Sequence, residues 1–249
     1  MLNLALSFAA GVAVTLLIRL MGFGFVAGII PGTIVFLGVL VLMGRRTFQK
    51  LQKIMTEVQG ELQSLTPNPR EQKVKVEKAV KLLESALPLG QWQFMIEGEV
   101  YGQIGVIKYM FKDHEGAEAA FKKSGSRNYL AKAMNACLYY QRKEYPAMEA
   151  AFEEAVKAGK KEGVVWAAYA WCLNQIKEGE KALRVLSRAV EANPSDEKLK
   201  NAMSALQNDK KLKMRPWEPM WWQFGLEAPP AQQPMMVGHR GARPRMQRR

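Results

Sequence analysis

The sequence has few of the residues that most often build catalytic and metal sites. Its 249 residues include only two cysteines and two histidines. Two cysteines are too few for a disulfide-rich secreted scaffold or for a four-thiolate zinc site. Neither His114 nor His239 lies near a cysteine or a carboxylate pair with the spacing of a metal site or a catalytic triad. We therefore expect a protein that is not an enzyme and that needs no cofactor and no metal.

Charge is almost absent from the first 44 residues, where Arg19 is the one ionisable side chain. A membrane-spanning helix needs about 20 mostly apolar residues, so residues 1–44 predict a transmembrane hairpin of two short spans. An arginine at the centre of a bilayer costs about 2.5 to 3.5 kcal/mol, and a turn near Arg19 avoids that cost. A cleaved signal peptide is a weaker interpretation, because residues 20–43 would still remain as a span.

Small residues recur every four positions in both predicted spans. They are Ser7, Gly11 and Thr15 in the first span and Gly24, Gly28 and Gly32 in the second. Small side chains at this spacing let two helix backbones approach closely in lipid. We expect these residues to form the packing face of the hairpin, although glycine is also generally more common in membrane helices.

Basic residues follow the second span directly. Arg45, Arg46, Lys50 and Lys53 lie on that side, against Arg19 alone in the predicted turn. The positive-inside rule then places the amino terminus and everything beyond residue 44 in the cytoplasm. We expect an integral membrane protein, and the compact layout favours a bacterial inner membrane.

Residues 45–69 predict an amphipathic stalk helix that ends in a linker. Apolar side chains recur at steps of three and four, at Phe48, Leu51, Met55, Val58, Leu62 and Leu65. This seam is suited to join subunits as a coiled coil or to pack against the domain that follows. It leaves open a homo-oligomer formed through the spans and the stalk. Pro67 and Pro69 end the helix.

Residues 70–209 predict successive amphipathic helices, without the alternation typical of strands. A triplet with a large central residue recurs three times, as Ala117, Phe121 and Ser124, as Met148, Phe152 and Ala155, and as Ala182, Leu186 and Ala189. The central residues are 31 and 34 positions apart, as their numbers show. This spacing indicates an internal repeat, and an irregular helical bundle is the alternative.

The repeat resembles the tetratricopeptide repeat family, whose unit is a helix-turn-helix of 34 residues. The third copy carries the pattern best, with Trp166, Tyr169, Ala170 and Pro194 at the family's positions. The resemblance covers about half of the chain and implies an α-solenoid. It also implies half a unit around residues 71–87 and a terminal capping helix over residues 195–207.

The resemblance further implies a concave groove lined by the first helix of each repeat. Its inner residues are Val106, Tyr109, Cys137, Tyr140, Trp171 and Asn174. Such a surface suits an extended peptide or an amphipathic helix of a protein partner. The same aromatic side chains can instead be covered by the protein's own tail or stalk, and both interpretations stay open. Cys137 and Cys172 are expected to be structural thiols.

Residues 210–249 predict a disordered basic tail, because its prolines forbid a long helix. Four aromatic residues occur within eight positions, at Trp217, Trp221, Trp222 and Phe224. They are candidates to contact the groove, a partner or the lipid interface, where tryptophan is favoured. The arginines at the end can attract anionic lipid. We do not expect nucleic acid as a partner, because the sequence has no folded nucleic-acid-binding motif.

These features together predict an all-α protein with a transmembrane hairpin, a stalk, a tetratricopeptide-like solenoid and a tail. We expect a membrane-anchored scaffold that recruits or organises a partner protein at the cytoplasmic face of a membrane. The alternative is an accessory subunit of a larger membrane complex, with the hairpin as its main interface.

Overall fold

The described part of the chain is built from helices. The computed structural model describes residues 1–64 and 68–228, and within these ranges there is no strand. The α-helices are α1 (Leu2–Leu20), α2 (Phe25–Gln63), α3 (Pro69–Glu84), α4 (Ile96–Met110), α5 (His114–Lys123), α6 (Tyr129–Gln141), α7 (Tyr145–Ala158), α8 (Gly163–Gln175), α9 (Gly179–Ala192), α10 (Glu197–Gln207) and α11 (Met220–Gln223). Short 3₁₀ turns cover Leu87–Gln91 and Arg215–Trp217. The predicted all-α fold class is confirmed.

Helix α1 and the first half of α2 form an apolar hairpin. Both helices are long and apolar enough to cross a membrane, with mean hydropathies of 1.8 and 2.5 over their most apolar windows. The 19 residues of α1 rise about 28 Å, which is close to the 30 Å of a bilayer's hydrocarbon core. Arg19 lies in the last turn of α1, where its guanidinium stands 5.8 Å from the ring centre of Phe25. The single charge of this segment is therefore at the turn end of the hairpin.

Helix α2 continues without a break from the hairpin to the repeats and is 39 residues long. Its second half carries the apolar seam of the stalk. Val58 is 4% exposed and belongs to one cluster with buried residues of α3 and α4, and Leu51, Ile54, Met55 and Leu62 pack against that cluster. From Leu51 to Leu62 the seam is thus covered within the chain. Phe48 remains 60% exposed, and Leu65 lies outside the described residues.

Helices α4 to α9 form three helix pairs, and α10 adds a single helix at the end. Two residues after the first helix of each pair, and two residues after α10, the chain has a residue with a left-handed backbone. These residues are Lys112, Lys143, Lys177 and Asp209, with φ values of 63°, 63°, 66° and 53°. After each of them the chain closes back on the helix, as where the Glu178 amide donates to the Leu173 carbonyl at 2.9 Å. This is the Schellman ending of a helix. Its spacing of 31, 34 and 32 residues reproduces the period seen in the sequence.

The large central residues of the repeated triplets fill the space between helices. Phe121 is 4% exposed, and Phe152 and Leu186 are completely buried. A Cβ atom at Gly105 would lie 2.4 Å from the ring of Phe121, so α4 needs a glycine where α5 crosses it. Phe152 stacks on Tyr169 of α8 with 4.9 Å between ring centres. Pairing of small with large residues is therefore what holds successive helices together.

An ion cluster links the first two repeats. Glu118 of α5 accepts hydrogen bonds from Tyr139 at 3.1 Å and from Arg142 at 2.5 Å, and it pairs with Lys122 at 2.7 Å. Hydrogen bonds from Lys122, Arg142 and Tyr139 lower the pKa of Glu118 to about 2. The charged form of this carboxylate is thus favoured in the folded state.

Candidate functional site

The groove residues predicted from the sequence lie on three successive helices. Val106 and Tyr109 are on α4, Cys137 and Tyr140 are on α6, and Trp171 and Asn174 are on α8. Tyr140 meets Trp171 edge to face, with 5.9 Å between ring centres. Tyr109 and Trp171 are only 5% and 7% exposed, and Cys137 is completely buried. Val106, Tyr140 and Asn174 are half-buried. The aromatic floor of the groove is therefore covered.

The cover is the chain's own tail. After α10, residues 211–214 belong to no helix, and their side chains alternate between exposed and buried. Leu212 and Met214 are 8% and 3% exposed, whereas the lysine and arginine side chains beside them face solvent. A period of two is what an extended chain shows when one of its faces is covered. Residues 211–214 thus contact the repeats through Leu212 and Met214, which share one face of this segment.

Two aromatic residues then fill the groove. Trp221 and Phe224 are both completely buried. Trp221 meets Trp171 edge to face at 5.2 Å and lies 6.2 Å from Phe224, measured between ring centres. Edge-to-face pairs of this kind add about 0.5 to 1.5 kcal/mol to the effect of buried area alone. Trp217 is 7% exposed, and Trp222 is half-buried against the same core.

Polar contacts fix the end of this segment on α4 and α6. The Tyr109 hydroxyl donates to the Phe224 carbonyl at 2.5 Å. The side-chain amide of Gln141 donates to the Tyr109 oxygen at 3.0 Å and to the Gly225 carbonyl at 3.2 Å. Gly225 has a φ of +60°, which glycine adopts without strain. The tail is therefore bound across α4, α6 and α8 together.

Burial keeps Tyr109 protonated, as a donor must be. Loss of solvent around the hydroxyl raises the pKa of Tyr109 far above its usual value, and the neighbouring Cys137 and Cys172 raise it further. The Trp221 indole donates to the Glu227 carboxylate at 2.8 Å, so this nitrogen also has a partner in the docked state. Both groups keep hydrogen bonds that water would otherwise supply.

These contacts change the expectation for the tail. A disordered segment from residue 210 was expected, but the described part of it, up to Ala228, contains a 3₁₀ turn, the short helix α11 and five buried apolar side chains. The prolines prevent a long helix, but a segment does not need a long helix to pack against the repeats. The arginine-rich end, 229–249, lies outside the described residues, as does His239.

The two cysteines have the environment of core residues. Both are unpaired and completely buried. Burial raises the pKa of Cys172 well above its usual value, so its thiolate is disfavoured. Within residues 1–64 and 68–228, no group of three or more histidine, cysteine or acidic side chains is placed to hold a metal ion. His114 lies against Tyr109 with its ring edge-on, 6.1 Å away.

The small residues of the hairpin are brought together where α1 crosses α2. Ser7, Gly11, Gly28 and Gly32 are buried, in a segment where most side chains are exposed. A Cβ at Gly32 would lie 2.8 Å from the Gly11 carbonyl oxygen, and one at Gly28 would lie 2.9 Å from the Thr15 carbonyl oxygen. The Thr15 hydroxyl donates to the Gly28 carbonyl at 3.2 Å. The backbones of α1 and α2 are thus in close contact at these positions.

Gly24 is not part of this contact. It immediately precedes α2, is exposed, and has open space where its Cβ would be. Its four-residue spacing from Gly28 placed it on the packing face, but the helix begins only at Phe25. The two glycines therefore do not share a helical face.

Sequence reasoning missed two features of the site. Gln141, which holds both Tyr109 and the tail, has no distinguishing pattern around it in the sequence. The contact of the amino terminus with the 3₁₀ turn before α4 was also missed. There the Met1 ammonium donates to the Gln91 carbonyl at 2.5 Å, and the main-chain N–H of Asn3 donates to the Trp92 carbonyl at 3.2 Å. Main-chain acceptors have no sequence signature.

A comparison with protein families agrees with the repeat architecture over part of the chain. Residues 139–206 match the tetratricopeptide repeat family, a span that runs from the end of α6 almost to the end of α10. No curated protein matches the sequence. A solved structure titled "MamA RS-1 ArsTM double mutant" is similar over 71% of this chain and 93% of that chain, with 14% sequence identity and a TM-score of 0.44.

Proposed function

We propose that this chain, which carries tetratricopeptide repeats, is a membrane-anchored scaffold that recruits or organises a partner protein. The hairpin of α1 and α2 is the anchor. The groove of α4, α6 and α8 is the recognition surface, and its ligand is a short peptide segment rich in tryptophan and phenylalanine. The chain's own tail is the first such ligand, and a partner segment competes with it.

The length of the two apolar helices and the basic residues that follow them support the membrane anchor. The apolar part of each hairpin helix is long enough for a bilayer, and most of its surface is exposed. Exposed apolar side chains in a continuous band are stable in lipid and costly in water. With Arg45 and Arg46 following the second span, we place the repeats in the cytoplasm, and we favour a bacterial inner membrane.

The docked tail is the observation that carries the recognition proposal. It joins the two elements of peptide recognition, which are buried aromatic anchors and hydrogen bonds to the peptide backbone. Trp221 and Phe224 are the anchors, and Tyr109 and Gln141 bind the backbone carbonyls. A partner segment with similarly spaced aromatic residues would find the same contacts.

The alternative, a subunit whose glycine face binds a larger membrane complex, has less support. Gly11, Gly28 and Gly32 are already buried between α1 and α2, so their backbones are not free for another helix. We also propose no catalytic role, since the free thiols are buried in the core.

A peptide-binding experiment tests the recognition site. A fluorescent peptide with the sequence of residues 211–227 is added to the full chain and to a Trp221→Ala/Phe224→Ala chain, in which the tail is released. We expect anisotropy to report binding only in the released chain. Adding Trp171→Ala to the released chain is the control that should abolish binding. Equal binding in all three chains would contradict the groove as the receptor.

Membrane anchoring is tested separately. After alkaline carbonate extraction of membranes, the full chain should remain in the pellet. Recovery of the chain in the supernatant would refute the anchor and leave the peptide result unaffected.

A further inference from the structure

The amino-terminal end of the hairpin is joined to the loop before α4. Met1 and Asn3 donate to the carbonyls of Gln91 and Trp92. The Asn3 side chain also donates to the Thr47 hydroxyl at 3.2 Å, one turn or less beyond Arg45 and Arg46 on α2. Trp92 therefore lies at the level where both apolar segments end.

This loop exposes an unusual amount of apolar surface. Beyond residue 44, the large hydrophobic side chains that are exposed in the described residues are Phe48, Val74, Trp92, Phe94, Met95 and Met110. Trp92, Phe94 and Met95 are 38%, 67% and 44% exposed and lie within four consecutive residues. Three of these six side chains thus belong to one short loop.

Position and chemistry together identify the occupant of this surface. A tryptophan with an apolar body and a polar tip is favoured at the boundary between lipid tails and water. Arg45 and Arg46 precede Thr47, the hydrogen-bond partner of Asn3, on α2, and Lys123 and Arg127 line a cavity that Phe94 and Met95 also line. That cavity, of about 690 Å³, is also lined by Glu97 and Glu99, so the loop's surroundings carry both signs.

We propose that residues Trp92 to Met95 insert into the interfacial layer of the bilayer that the hairpin spans. The repeats then rest on the lipid through this loop. This inference rests on the proposed anchoring of α1 and α2. It adds a second lipid contact, on the first repeat, that the hairpin does not require.

Single-cysteine labelling in vesicles tests the contact. Cys137 and Cys172 are completely buried, so an introduced surface cysteine is the accessible thiol in the described part of the folded chain. Three full-length variants are prepared, Phe94→Cys, Met110→Cys and Leu17→Cys, and each is labelled with an environment-sensitive nitrobenzoxadiazole probe. Met110 is the matched control, because it is 60% exposed and lies at the other end of α4, about 21 Å away.

The labelled chains are reconstituted into phosphatidylcholine and phosphatidylglycerol vesicles with and without lipids that carry a nitroxide near the top of the acyl chain. We expect the probe at position 94 to show a blue-shifted emission and a nitroxide-dependent loss of fluorescence, with neither effect at position 110. The probe at position 17, which is 59% exposed on α1, should be quenched by the same lipids or by lipids labelled deeper.

The outcomes separate the two proposals. Quenching at position 17 without quenching at position 94 overturns the loop contact and leaves the anchor intact. Absence of quenching at position 17 overturns the anchor, and the loop contact with it. A blue shift at position 94 without nitroxide quenching means that protein covers the loop, which also overturns the inference, as does equal quenching at positions 94 and 110.

Discussion

Replacing Trp221 with alanine should release the tail from the groove and leave the repeats folded. Trp221 is completely buried, and its ring contacts Trp171 and Phe224. Its neighbours belong to two different parts of the chain, the docked tail and α8. The loss should therefore fall on the docking of residues 216–227 and not on the packing between repeats.

The size of the effect follows from the burial of this side chain. Truncating a fully buried tryptophan to alanine costs about 3 to 5 kcal/mol. Since about 1.4 kcal/mol corresponds to a tenfold change in an equilibrium constant, the opening equilibrium of the tail should rise about 100-fold or more. If docking is weaker than this, the tail should be open for most of the time.

Hydrogen exchange of the full chain in detergent measures this opening. In the docked tail the amides of Phe224 and Gly225 donate to the carbonyls of Trp221 and Trp222 at 3.1 and 3.2 Å. Mass spectrometry of a peptide covering residues 216–227 should show about 100-fold faster exchange in the variant. Peptides from α6 and α8 should keep their protection.

The matched control is Gln223→Ala, which changes an exposed residue of the same short helix. If both variants exchanged at the rate of the unmodified chain, Trp221 would not be what holds the tail. If α6 and α8 lost protection along with the tail, the tail would be part of the folding core, and competition with a partner segment would have no physical basis.

Three further predictions address the hairpin, the repeat turns and the ion cluster. Gly32→Ala should lower the melting temperature of the hairpin in detergent, measured by circular dichroism. Gly38→Ala should not lower it, because there is open space where the Cβ of residue 38 would be. Equal effects of the two substitutions would contradict the close contact. Lys143→Gly should stabilise the chain by about 1 kcal/mol in urea unfolding, because a left-handed backbone strains lysine, and Lys157→Gly within α7 should destabilise it. The lowered pKa of Glu118 contributes stability above pH 4.5 that is lost as pH falls towards 2, and after solvent screening this amounts to about 1 kcal/mol. Glu118→Gln should therefore flatten the pH dependence of the free energy of unfolding in that window. An unchanged slope would argue against the cluster.

The repeat architecture was predictable because its signals are local. The spacing of Phe121, Phe152 and Leu186 reports helices that pack a large side chain against a small one, and such packing recurs with the period of the unit. The apolar hairpin was predictable for the same reason, since the length and composition of one segment decide whether it can span a membrane.

The occupant of the groove was not decided by the sequence. Tyr109 and Phe224 are 115 positions apart, and no periodic pattern connects a tail to the helices that it covers. The sequence therefore left tail, stalk and partner as candidates for the aromatic floor. Gly24 failed for a different reason: spacing alone does not reveal where a helix begins, and this glycine lies just before the first turn of α2.

Because α2 is one continuous helix, it fixes the distance between the hairpin and the groove. At 1.5 Å per residue its 39 residues extend about 58 Å, from the turn of the hairpin to the first repeat. Because Val58 locks this rod to α3 and α4, the repeats cannot swing on a tether to search the surrounding volume. In the anchored scaffold that we propose, a partner segment therefore has to reach a groove that is held at a fixed distance from the membrane.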